Sequence, residues 1–343
     1  MSLIQISKIN QNLQRLGHSI AALNKSRVGP KARFLAISLL VLTLCITAMN
    51  VANSYVARNL FSAIERQEMR AFSNYAWLYA GVFLASTLTA VLFRFSEERL
   101  GLLWREWLTR RFISLYMNKK IYLHLSGNDI ISNPDQRIAE DVRSLTVTSL
   151  SFILMMLNST ITAISFSGVL WSISPKLFVV SVLYAVCGSA LTIFLGKPLI
   201  KLSYRQSDFE ADFRSQLIKI RDNATEINSS NQESVARDQV MDKFNRVISN
   251  QKEMISISRN VGFFTTGYNY MIQLIPILVV APIFIESGVE FGIIGQSSMA
   301  FATMVGAFSL IITQFQSISS YSAVFTRLGE MVAVIEAADT KEF

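Results

Sequence analysis

The chain has 343 residues, 51% of them hydrophobic, with a mean hydropathy of +0.37 and only 16% charged residues. That charge is well below the roughly 25% usual for soluble domains, and a soluble chain of this length would need far more polar surface to cover its core. The net charge of +8 comes without aromatic–basic interleaving, which argues against nucleic acid as a partner; Cys45, Cys187, His18 and His124 have no ligand spacing, which argues against a metal site.

The chain opens on Ile6, Ile9, Leu13, Leu16, Ile20 and Leu23, which recur at threes and fours with polar residues between. This predicts an amphipathic helix over 1–30, lying flat on the inner leaflet rather than a cleavable leader; a coiled-coil strand is the alternative. Six blocks then reach the length of about 20 apolar residues that a spanning helix needs. They run Phe34–Val56, Phe72–Phe93, Leu150–Ile173, Leu177–Leu195, Phe263–Ile285 and Ile293–Ile318. Ser172 to Lys176, with Pro175, predicts a tight turn between the third and fourth. The expected fold class is therefore all-α and polytopic, with a six-helix membrane domain over 31–330 and a short tail over 331–343.

Orientation follows from lysine and arginine. The segment before the first span holds six, and the second and fourth connections hold nine and eleven. The tail holds two, against three, one and none in the other connections, so alternate compartments carry 28 and 4. The richer side is the cytoplasm, and both termini are expected there.

The two basic connections are long. Residues 94–120 and 199–259 keep helical spacing without proline, and the second also lacks glycine. The spans are expected to continue as helices, about 35–40 Å into the cytoplasm for some twenty-five residues. Within the first connection, Asn133-Pro134-Asp135-Gln136 reads as a helix start: Asn133 at the N-cap, Pro134 where no amide hydrogen is needed, Asp135 on the positive end of the dipole and Gln136 completing a capping box. The pattern alone fits a plain capped helix as well as a docking element.

Polar residues punctuate the spans: Asn50 and Asn53, then Asn158, Thr162 and Ser165, then Asn269 and Gln273, then Ser309, Thr313, Gln316 and Ser320. Unpaired in lipid they are costly, so they face either neighbouring helices or a wet cavity. Pro276 and Pro282 interrupt the fifth span and should bend it.

The run Asn133 to Val142, NPDQRIAEDV, resembles the signature of one family of ABC-transporter membrane domains. That family includes peroxisomal acyl-CoA half-transporters, related cobalamin transporters and the SbmA/BacA peptide importers. The six-span layout agrees along nearly the whole chain. The resemblance implies that Asn133, Pro134, Asp135, Gln136, Arg137 and Asp141 form a coupling helix that meets an ATPase. Glu210 to Arg214, EADFR, followed by Arg221 to Ile227, is similar to the family's EAA-like region, and there Glu210, Arg214 and Glu226 would join the coupling. It also implies an exporter-type fold and a second copy of the chain, or a homologous half, as partner. Asn50, Asn53, Asn158, Thr162, Asn269, Gln273, Thr313 and Gln316 would line the cavity.

No G-x-x-x-x-G-K-[ST] occurs, so the chain carries no phosphate cradle and no cofactor of its own. ATP and Mg are expected on a nucleotide-binding domain, which in this family would begin a short way past Arg327-Leu328-Gly329-Glu330. The expected function is the permease part of an ATP-driven transporter for a bulky solute of the acyl-CoA or lipid, cobalamin or peptide class, in the lipid bilayer of a bacterial inner membrane. The alternative is a proton-coupled importer of the SbmA/BacA type. No Asp, Glu, His, Lys or Arg lies inside the six blocks, which disfavours a proton relay. Nor is there the charged ring an ion channel would need.

Overall fold

The computed structural model describes residues 17, 19–117, 122, 134–287, 290–310, 328–329 and 331. Their regular structure is helical, as expected for an all-α membrane protein. We label the helices α1 (Gly29–Glu65), α2 (Met69–Met117), α3 (Val142–Ile173), α4 (Pro175–Asp222), α5 (Ala224–Ser229), α6 (Glu233–Ser287) and α7 (Gly292–Leu310). All but α5 are long and apolar enough to cross a bilayer.

Local chemistry sets the ends. Pro30 sits in the first turn of α1, and at Gly29, its first residue, a Cβ would collide with the Asn24 carbonyl. Past the end of α1, Gln67 takes a left-handed φ of 57°, and the amides of Gln67 and Glu68 return to Ile64 and Ala63. The turn between α3 and α4 shrinks to one extended residue, Ser174, forced out of helix by the proline that follows.

The helices outrun the membrane. At 1.5 Å per residue α2, of 49 residues, is about 74 Å long and α6, of 55, about 83 Å. Their surfaces are also inverted relative to a soluble protein: the most apolar stretch of α2 is only 6% buried. Trp77, Phe83, Leu84 and Leu88 all point outward, which suits lipid and not water. The protein is thus an integral, multi-pass membrane protein.

The chain forms two compact units, 1–182 with 276–343, and 183–275. In the first, Leu100, Trp104, Leu108 and Phe112 form an i, i+4 row on α2 that packs with Val142, Leu145 and Leu150 of α3. Leu39 of α1 joins this core. Leu23 is also buried in it and Ile20 packs against it, so this end of the predicted interfacial helix meets protein. Residues 1–16 lie outside the described part. Leu328 and Met331 are buried in the same core, which ties the chain beyond α7 to α1, α2 and α3.

Candidate functional site

The segment that leads into α3 begins with one α-helical turn, Pro134–Gln136. A π-helical turn follows over Arg137–Asp141, its amide ladder reaching from Val142 back to the Arg137 carbonyl. A π-turn holds one extra residue and recurs where function overrides regular packing. It separates two kinds of side chain. Asp135 and Gln136 are exposed, with the Gln136 amide donating to Glu140 at 3.1 Å. Arg137 and Asp141 are 6% and 4% exposed, and Ile138 packs on the α1–α2–α3 core. The tip is therefore free to meet a partner, whereas Arg137 and Asp141 hold it from within. Asn133, expected as its N-cap, lies outside the described residues.

In the second unit α4 and α6 run as an antiparallel pair, joined through α5. Asn250, 6% exposed, donates to the Leu202 carbonyl at 3.0 Å and to Gln206 Oε1 at 2.8 Å. Gln206 Nε2 then donates to Glu210 at 3.0 Å, so this candidate carboxylate is aimed by a chain of amides starting on the facing helix. Further along, Phe213 meets Phe244 with centroids 5.4 Å apart, Gln216 bonds Gln239 at 2.8 Å, and Lys243 pairs with Asp212 at 2.9 Å. The hydrogen bond from Lys243, then its charge, holds the Asp212 carboxyl below the usual carboxylate range. A lowered folded value means that this stabilisation is complete above the ordinary Asp value near ~3.9 and is lost as pH falls through the folded value. Asp212 faces solvent and Lys243 is half-buried, so water screens the pair and the contribution is small. Arg214 and Glu226 are exposed, with Glu226 in the first turn of α5.

The span residues divide by exposure. Asn50, Asn269 and Gln273 are exposed in the single chain, and Asn53, Asn158 and Thr162 are half-buried. Asn53 keeps a buried Oδ1 without a protein partner. Exposed amides at membrane depth require a wet cavity or another protein surface, not lipid. Thr313 and Gln316 lie outside the described residues. Sequence reasoning missed one feature here: Tyr184 and Tyr268 stack in parallel, centroids 4.4 Å apart and planes at 4°, each hydroxyl donating to the other's backbone carbonyl at 2.6 and 3.3 Å. Gly188 makes room for the Tyr268 ring. The 84-residue separation hides this pair from any local pattern.

The family described as ABC transporter transmembrane region 2 matches residues 22–285. The chain belongs to that family. It is 38% identical over 300 residues to the chloroplastic ABC transporter D family member 2 of Arabidopsis thaliana, covering 88% of this chain and 42% of that protein. It is 37% identical over 295 residues to an uncharacterized ABC transporter ATP-binding protein of Synechocystis, covering 85% and 45%. The lysosomal cobalamin transporter of Homo sapiens is 22% identical over 307 residues, 86% of this chain and 50% of that protein. The chain thus spans about half the length of the curated relatives it matches. It is the membrane region of an ABC transporter.

Proposed function

We propose that this chain supplies half of the pathway of an ATP-driven transporter, that two such halves make the working unit, and that the turn at Asp135 and Gln136 receives the stroke of a nucleotide-binding domain. The observation that carries the reading is the division at the π-turn: an exposed polar tip on a buried anchor. Such a tip transmits force because Arg137 and Asp141 are buried and Ile138 packs on the core that α1, α2 and α3 share, so that it does not sit on a loose loop. Glu210, oriented through Gln206 and Asn250, together with Arg214 and Glu226, forms the second contact, on the α4–α6 pair.

ATP and Mg belong to the nucleotide-binding domain, and no step of their chemistry runs through this chain. The chain's own part is to alternate the access of a polar cavity lined by Asn50, Asn53, Asn158, Thr162, Asn269 and Gln273. Uncharged amides and hydroxyls suit a bulky, moderately polar solute of the acyl-CoA or lipid, cobalamin or peptide class. The split of 28 basic residues against 4 supports cytoplasmic termini. The likeness to a cyanobacterial relative supports a bacterial inner membrane.

Uncoupling tests the proposal. Asp135→Ala removes an exposed carboxylate and should change stability by no more than about 0.5 kcal/mol. With the ATPase present, substrate flux per ATP hydrolysed should fall several-fold while hydrolysis continues. Unchanged flux per ATP in Asp135→Ala and in Gln136→Ala would remove the tip from the mechanism.

A further inference from the structure

Arg58, Arg66 and Glu290 meet where α1 ends and α7 begins. Glu290 bridges both arginines: Arg58 reaches Oε2 at 2.9 Å and Arg66 reaches Oε1 at 3.2 Å. The joint continues on both sides of this bridge. The Phe291 amide donates to Glu65 at 3.3 Å and the Gly292 amide to Ser62 Oγ at 3.2 Å. Gly292 lies against the Arg58 carbonyl with no room for a Cβ. Deeper in, Gln296 Nε2 reaches Ser54 Oγ at 3.5 Å. Ser54, Arg58, Ser62 and Arg66 are spaced by four, so one stripe running off the end of α1, with Glu65 beside it, makes the seam.

Two properties distinguish this seam from permanent packing. Its ion pairs sit at the water boundary, with side chains 28%, 53% and 36% exposed for Arg58, Arg66 and Glu290, where separation is repaid by hydration. Its inner residue is badly served by closure: Gln296 is 1% exposed, and its Oε1 has no protein partner. A buried acceptor without a donor is costly, and water entering an opened seam would satisfy it. The latch thus holds shut a joint whose interior gains from opening.

We propose that the α1–α7 seam is a reversible outer gate of the pathway and that Glu290 is its latch. This rests on the transporter reading above, but closure of the seam can be measured without transport. Ser62, 4% exposed, becomes the reporter as Ser62→Cys in a chain carrying Cys45→Ala and Cys187→Ala. Gln67→Cys, exposed on the same end, gives the reference rate. In intact cells a membrane-impermeant maleimide should react readily with Gln67→Cys and slowly with Ser62→Cys. Glu290→Gln should speed the Ser62→Cys reaction about three- to tenfold, the factor two partly exposed ion pairs can carry, while Glu290→Asp keeps most of the protection. Equal rates in Glu290→Gln and the unaltered latch would overturn Glu290's role. Failure of Gln67→Cys to react would put this end inside the cell and overturn an outer gate. In nanodiscs with the ATPase bound, ATP and vanadate should also raise the Ser62→Cys rate. ATP-driven flux with a Ser62→Cys rate that never moves would overturn the gate while leaving the transporter reading intact. Loss of the transporter reading would instead appear as absent flux, with the latch effect still present.

Discussion

At Gly188 a side chain as small as a methyl group would collide with the Tyr268 ring. The stacked tyrosines and their reciprocal hydrogen bonds fill the space that glycine leaves, so the contact is one of shape. Gly188→Ala should therefore destabilise the protein by about 1–3 kcal/mol, the usual cost of overpacking, seen as a lower melting temperature in detergent. Cys187→Ala, one residue away and exposed, should leave it unchanged. Equal melting temperatures for Gly188→Ala and Cys187→Ala would mean that the ring moves aside freely. Residues of this kind are illegible in sequence, because Tyr184 and Tyr268 meet only through the pairing of distant helices. Polar residues in apolar blocks are legible, since lipid penalises them wherever the chain turns, and Asn269 and Gln273 emerge exposed. Arg137 shows the opposite limit: next to Asp135 in a polar stretch it reads as a surface group, yet the π-turn rotates it into the interior.

The helices themselves were largely readable, because helical spacing without proline persisted over 94–120 and 199–259, and α4 runs on through Pro198. Continuous α2, α4 and α6 follow directly. The π-turn was not readable: capping chemistry fixes where a helix starts but not its hydrogen-bond register. The joint between α4 and α6 was equally hidden, although one residue of it is simple to test. Asn250 is buried and spends its amide on two acceptors of the facing helix. Asn250→Ala loses both bonds, each worth about 0.5–1.5 kcal/mol. It should leave the spans inserted but make the 199–259 region cut faster in limited proteolysis, with Gln206 and Glu210 released from their fixed orientation. Unaltered proteolysis would show that the aromatic and ionic contacts of Phe213, Phe244, Asp212 and Lys243 suffice.

At the scale of the molecule, span length gives a membrane protein, and family membership makes it the membrane region of an ABC transporter. The energy source is the claim on which the rest depends. A proton-driven carrier needs a proton-binding group on the path; at the joint of α1 and α7 Glu290 bridges Arg58 and Arg66, and Glu65 accepts the Phe291 amide. The decisive measurement is substrate flux into liposomes that hold the purified chain with its ATPase restored, driven in separate trials by ATP alone and by a pH gradient alone. This account predicts flux with ATP and none with the gradient, and the same outcome when Glu65, Glu68, Glu286 and Glu290 are all changed to glutamine, apart from altered gating. Flux driven by the gradient without nucleotide, and abolished by those four substitutions, would contradict it.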